Sequence, residues 1–372
     1  MSTSLVAERA RAAQSDSATS VNPLVVISIL NWNGWQDTLA CLESVRRLQY
    51  PNYLTVVVDN GSWDESVEGI RAWAKATLSD QDPFIEYTRA EATSGGCGAA
   101  EARLDSTNSS SRLVLVANET NLGFTGGNNL SISYALSRTT PADYLFLLNN
   151  DVLLEPDCLT QLVAADRAAD AGLVGAVLRP RSELAPEKPE RHGAEANEQV
   201  DGARANAQGG GAGSRNAWKP MGYVSGGAVL VRKDLLEAVR KVQGTYLDDR
   251  LFLYVEDVAL SLAAQQLGYK TVQATRAVGY HTAGTSSGGR YSPIEYYYGT
   301  RNSIRVAALR PRSERLRFHA MFPWEAAGRV AKSLIYARPR SALAVVLGFL
   351  DGYRGVTGRW QDHDRQALKG PR

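Results

Sequence analysis

The chain has 372 residues, 44% of them hydrophobic and 22% charged, with a net charge of +2. This is the balance of a globular protein able to bury a substantial core. So small a net charge excludes nucleic-acid binding by bulk electrostatics, and no nucleic-acid partner is expected.

Residues 1–22 are polar and lack an apolar core, so they read as a mobile leader rather than a secretory signal. The three cysteines, Cys41, Cys97 and Cys158, have no paired spacing, which points to a reducing compartment without disulfides or zinc. Val25–Leu30 is a continuous apolar run that stops at "NWNG", as a buried strand feeding a loop would. Helical spacing follows from Asp37 to Leu48, then a second strand, "YLTVVVD", then a helical pattern over Val67–Ala76. Further strands read at Arg112–Ala117 and Tyr144–Leu148. The first 180 residues therefore predict an α/β fold, an open and mostly parallel sheet covered by helices. Two stretches, 92–111 and 181–217, read as solvated surface insertions. Beyond them "YVSGGAVLVRKDLLEAV" gives a strand and a helix, and "LFLYVEDVALSLAAQQLGYKTVQATRAVGYH" a helix and then a strand around Thr271–Ala274.

Ligands of such sheets bind outside the carboxyl ends of the strands. Asn31 and Asn33 follow the first strand, Asp59, Asn60 and Ser62 the second, Asn118 and Asn121 the next, and Asn149, Asn150 and Asp151 the one after. Each alone is a common turn former; four clusters on one edge point to a site. Asp59 stands where dinucleotide folds hold a ribose, but "NWNGW" supplies only Gly34 where G-x-G-x-x-G is needed, and no P-loop is present. Asp151, ending a buried strand, is tolerable beneath a divalent cation, which prefers a few oxygen ligands plus substrate phosphates. The neutral Asn149 and Asn150 could bond a sugar or ribose. Gly123, Gly126 and Gly127 precede a helical pattern, so backbone amides could approach an anion there. Glu256 and Asp257 sit side by side among apolar residues, as a general base requires. His281 closes the next strand and is an acceptable further metal ligand. Ser286, Ser287 and Arg301 are candidate phosphate contacts on the same flank.

In order along the chain, "VVISILNWNG", "VVVDNGSWDES", "NLGFTGGNN", "LFLLNNDV", "VSGGAVLVRKDLL", "LFLYVEDVALSL", "GYH" and "YYYGTRNSIR" resemble the inverting family 2 glycosyltransferases of GT-A fold, rhamnosyltransferase-like members in particular. The resemblance runs from about Val25 to Asn302 and implies one catalytic domain over residues 23–304. It implies a nucleotide-diphosphate sugar donor, dTDP-rhamnose among the candidates, and a divalent metal, Mg²⁺ or Mn²⁺. It gives "NND" the place of the D-x-D motif, with Asp151 and His281 on the metal. Asn31 and Asp59 fall around the nucleoside. The other donor-side positions are Asn33, Asn60, Asn121, Gly123, Gly127, Asn128, Asn149, Asn150, Gly226, Gly227, Glu256 and Arg301. Asp257 matches the acid that deprotonates the acceptor hydroxyl. Two departures stand out. Ala259 replaces the second acid of E-D-x-D, and Ala263 or Ala264 stands where an Arg is usual. The Q-x-x-R-W motif of processive members is missing, so transfer of one sugar is expected, onto a glycan or lipid-linked acceptor of cell-surface polysaccharide or glycan synthesis.

Residues 305–372 hold 12 Arg and 2 Lys against 5 Asp or Glu, a basic helical tail on an otherwise acidic chain. Its apolar run Ala342–Leu350 is roughly half the ~20 residues that span a bilayer. A peripheral seat on the inner face of the cell membrane is expected through residues 305–360, a homodimer contact being the other reading. A non-catalytic sugar-nucleotide or scaffold protein, suggested by Ala259, and a nucleotidyltransferase, which would want a basic Gly-rich loop after the first strand, are the alternatives in function.

Overall fold

The computed structural model describes residues 22–79, 82–107, 112–184, 216–281 and 291–360. The leader, most of the 181–217 insertion, and Ser286 and Ser287 lie outside them.

One sheet of ten strands organises the described residues, in the order β3-β4-β2-β1-β5-β9-β7-β10-β6, with β8 (Trp218–Pro220) paired to β10. Strands β1 (Val25–Asn31), β2 (Tyr53–Asn60), β3 (Phe84–Thr88), β4 (Leu113–Asn118) and β5 (Tyr144–Asn149) are mutually parallel. Their apolar runs are buried on both faces. Val25, Ile27 and Ile29 join one core cluster and Val26 the opposite one, because successive strand side chains alternate. Helices α1 (Trp35–Arg46), α2 (Ser66–Thr77) and α5 (Gly123–Ser137) lie against this half. The parallelism breaks at β9 (Ala228–Arg232), antiparallel to both β5 and β7 (Gly172–Pro180). Strand β10 (Lys270–His281) runs parallel to β7, and the short β6 (Val152–Leu154) lies antiparallel on its end.

Of the stretch 92–111, expected to be a solvated loop, the described part 92–107 is largely helical, with α3 (Arg89–Thr93) and α4 (Gly98–Ser106). Its polar composition is misleading because one of its acids is buried. Glu101, 2% exposed, accepts hydrogen bonds from Tyr87 and Tyr134 and an ion pair from Arg138. Paired on all sides, it anchors α4 instead of solvating it.

The C-terminal helices α9 (Pro293–Val306), α10 (Arg312–Ile335) and α11 (Pro339–Arg354) form a unit with its own core. Tyr297 stacks on Trp360 with centroids 4.1 Å apart, and the Tyr298 hydroxyl accepts from the Trp360 amide. Gly348 lets α11 press against α9: a Cβ there would stand 2.5 Å from the Tyr297 carbonyl oxygen. This unit meets the sheet domain at Leu251, Ala259 and Val306.

Candidate active site

The parallel register sets Asn31 opposite Asp59 and Leu30 opposite Asn149, so the polar strand ends share one edge. A chain of hydrogen bonds links them. Asn150 Nδ2 donates to Thr38 Oγ1 (3.1 Å), Thr38 Oγ1 to Asn31 Oδ1 (2.8 Å), and Asn31 Nδ2 to Asp59 Oδ2 (2.7 Å). Ser62 completes the set, its amide and hydroxyl both donating to the Asp59 carboxylate. Asp59 is thus buried with charge-assisted bonds that satisfy it. Its carboxylate orders the edge from within. Asn33, in the left-handed region at φ 51°, ties its loop to Ser62 and to the Trp63 amide. Thr38 has no motif of its own in the sequence; only its position one helical turn after "NWNG" could have singled it out.

Several residues expected on the donor side are bonded to one another at this edge. Asn60 spans Asn121, the Gly123 carbonyl and the Leu122 amide, and Asn128 bonds Ser28 and the Phe124 carbonyl. Gly127 is a packing glycine, since a Cβ would stand 2.3 Å from Leu30 Cδ1. Gly123, with φ +75°, lies against the Phe252 carbonyl oxygen, which a Cβ would approach to 2.4 Å.

Strand β5 ends at Asn149, two residues turn, and β6 pairs Val152 opposite His281. That register brings His281 Nε2 to 3.1 Å from Asp151 Oδ1, with Asp151 6% exposed. Asn149 Oδ1 nearby is buried without a hydrogen-bond partner. Among the described residues there is no cluster of three His, Cys, Asp or Glu that could cage a metal. A carboxylate, an imidazole and an orphaned amide oxygen nevertheless fit a hard cation that takes one or two protein ligands and completes its shell with phosphates and water.

Across the Gly226–Gly227 turn sits the second half of the site. Asn149 donates its amide to the Gly227 carbonyl at 2.9 Å, and the Gly226 amide donates to Asp257 Oδ2 at 3.1 Å. Asp257 also accepts from the Val258 amide at the start of α8 (Glu256–Gln266). Burial raises the Asp257 pKa against the pull of these amides. Glu256 has less support: its Oε2 is buried without a partner, and burial plus the neighbouring Asp257 charge push its pKa up to about 8. Burial thus raises both carboxyl groups, Glu256 to about 8, so that Glu256 holds its proton near neutral pH beside Asp257. A cavity of about 240 Å³ opens beside Glu256, with Tyr246, Asp248, Arg250 and Arg305 on its wall.

Three residues before α8 hold left-handed backbones that side chains disfavour: Phe252 (φ 65°), Tyr254 (φ 65°) and the β-branched Val255 (φ 71°). Asn302 over-determines this segment. Its Nδ2 lies within 3.0 Å of the Leu251, Leu253 and Tyr254 carbonyl oxygens. Arg301, expected on phosphate, is instead a buried brace. Its guanidinium donates to the Leu251 and Gly358 carbonyls and to Asn302 Oδ1, and lies over the Tyr298 ring at 4.8 Å. Each of its three guanidinium nitrogens is bonded at the junction with the helical unit. The sequence places Asn302 beside Arg301 but gives no sign that its amide reaches back to the E-D segment.

The site is thus the polar carboxyl edge of an open α/β sheet with a buried acid pair beside it. The glycosyl transferase family 2 profile matches residues 25–108 and 100–240, more than half of the chain. The chain belongs to that family. A search of curated proteins finds no match. Among solved structures, S. aureus TarS 1-349 in complex with UDP-GlcNAc is 12% identical, with a TM-score of 0.51 over 94% of this chain and 93% of that one. The mannosyltransferase PcManGT from Pyrobaculum calidifontis, in complex with GDP-Man and Mn²⁺, is 16% identical, with a TM-score of 0.49 over 94% of this chain and 80% of that one. At such identities the likeness is one of fold. The C-terminal helices and the GT-A arrangement are as the sequence predicts.

Proposed function

We propose that the protein moves one sugar from a nucleotide-diphosphate donor to a hydroxyl of a glycan or lipid-linked acceptor, with inversion at the anomeric carbon, in cell-surface polysaccharide or glycan synthesis. The observation that carries this reading is the meeting of two unlike half-sites across Gly226–Gly227: Asp151 with His281 on one side, and Asp257 on the other.

In this reading the donor lies along the edge ordered by Asn31, Asp59 and Asn150, with its diphosphate toward Asp151 and His281. A divalent cation held by those two residues would supply positive charge to the leaving diphosphate. Asp257 accepts the proton of the acceptor hydroxyl as its oxygen bonds to the anomeric carbon and the bond from that carbon to the diphosphate oxygen breaks. The Gly226 and Val258 amides aim the Asp257 carboxylate. Glu256, kept protonated by its burial, spares the incoming diphosphate a further negative charge. The cavity beside Glu256 has room for an acceptor sugar. Ala259 lies on that same wall, within the apolar contact of Leu251 and Val306, so the missing second acid alters the acceptor's seat and leaves the base in place. This favours an enzyme over a scaffold protein.

The test is release of nucleoside diphosphate from dTDP-rhamnose, UDP-sugars and GDP-sugars, with Mn²⁺, Mg²⁺ or EDTA. Turnover of at least one donor that EDTA stops supports the proposal; no turnover with any donor and metal rejects it.

A further inference from the structure

We infer that the outer face of the α10–α11 hairpin is a docking surface for an anionic lipid bilayer. Helix α10 buries Phe322, Ala326 and Ser333, and Phe322 stacks on Phe349 of α11, which fixes its inner face. Its opposite face should then be polar if it met only water. It is not. Met321, Trp324, Ala331 and Ile335 recur at spacings of three, seven and four, a single helical stripe, and Trp324 and Ile335 are each 80% exposed. The stripe runs on through Leu334 and Tyr336 at the hairpin's tip. On α11 the same holds: Ala342, Val345 and Gly348 face inward, while Leu343, Val346 and Leu350 line a second exposed stripe. No described segment covers either one. Contiguous exposed apolar surface of this kind marks an interaction site.

The charges select the occupant. Arg312, Arg315, Arg317, Arg338, Arg340 and Arg354 are exposed around these stripes, and Arg338 and Arg340 flank the apolar tip. Apolar side chains with a Trp, ringed by arginine, suit the boundary between anionic headgroups and acyl chains; a second basic copy of the same face would repel it. None of the described helices is long and apolar enough to cross a membrane, so the contact is with the surface. The inference does not rest on the transferase reading, because binding can be measured without turnover.

The experiment is flotation of the full chain with phosphatidylcholine vesicles, with and without phosphatidylglycerol, at low and high salt. Capture by anionic vesicles that falls with salt is expected, and Trp324→Ala with Ile335→Ala should weaken it by roughly tenfold or more. Arg338→Glu with Arg340→Glu should remove the preference for anionic lipid. Trp324 and Ile335 are 80% exposed, so the apolar pair should keep the wild-type melting temperature, and the arginine pair should stay folded with a small loss from the Arg338 contact over the Tyr291 ring. Absence of capture by anionic vesicles at low salt overturns the inference, as does capture that neither pair of substitutions changes. A dimer that the apolar pair dissolves, without vesicle capture, assigns the face to a second copy and overturns it equally.

Discussion

Asp151 and His281 are 130 residues apart in number and 3.1 Å apart in space, because β6 pairs antiparallel with the end of β10 and sets Val152 opposite His281. If this pair is a cation's seat, Mn²⁺ with a nucleoside diphosphate should raise the melting temperature of the wild type. Asp151→Asn and His281→Ala should each cut that rise while leaving the melting temperature without ligand within a few degrees, since binding to the native state stabilises by mass action. An undiminished rise in both variants would remove them from the metal.

Asp257→Asn should lower turnover by about 10²–10⁴-fold, the usual contribution of a general base. Circular dichroism should be nearly unchanged, because the amide oxygen still accepts from one of the two amides, Gly226 or Val258, while its NH2 faces the other. Thermal stability should change little, since relief of a buried charge is offset by loss of one of the two acceptor oxygens.

The acid pair also fixes the direction of two pH profiles. A base must be ionised to act, so activity should climb with pH along a limb lying above the ordinary carboxylate range. Stability should move the other way. Folded Glu256 keeps its proton to about 8, whereas an unperturbed Glu releases it near 4.5. The stabilisation linked to that proton is complete below about 4.5 and is lost as pH rises through 8. Glu256→Gln should flatten this decline in melts run between those limits; a slope equal to wild type would argue against it.

Asn302→Ala should release the strained segment 252–255, whose carbonyl oxygens it gathers. Loss of those bonds costs about 1–3 kcal/mol of stability. Turnover should fall by about tenfold to a hundredfold with a smaller rise in donor KM, because the segment leads into Asp257 and touches the donor side only where Phe252 meets Gly123 and Thr125. A rise in KM alone would place Asn302 on the donor side instead.

How far the sequence discloses all this depends on the range of the interaction. Val25–Leu30, Tyr53–Asp59 and Tyr144–Leu148 are legible because both faces of a central parallel strand are buried, leaving uninterrupted apolar runs. Three-residue β6 and β8 have no periodicity to read, and the edge strand β3 is too polar, yet β6 is what delivers His281 to Asp151. Antiparallel insertion of β9 depends on pairing partners that are remote in the chain. Asn149 to Asp151 and Glu256–Asp257 stand out as polar breaks in apolar surroundings. Arg301 does not announce its role, since a buried guanidinium and a phosphate contact share one sequence signal; only the carbonyls of Leu251 and Gly358 distinguish them.

The central claim is that Asp257 activates an acceptor hydroxyl against a nucleotide sugar bound at the Asp151 edge. Its most direct test follows the anomeric configuration of the transferred sugar by NMR, with the donor and acceptor that support turnover, for wild type and Asp257→Asn. The account predicts an inverted linkage from the wild type and loss of transfer in the variant, whose Mn²⁺-dependent binding of nucleoside diphosphate persists. A retained configuration, or wild-type transfer by Asp257→Asn, would contradict it.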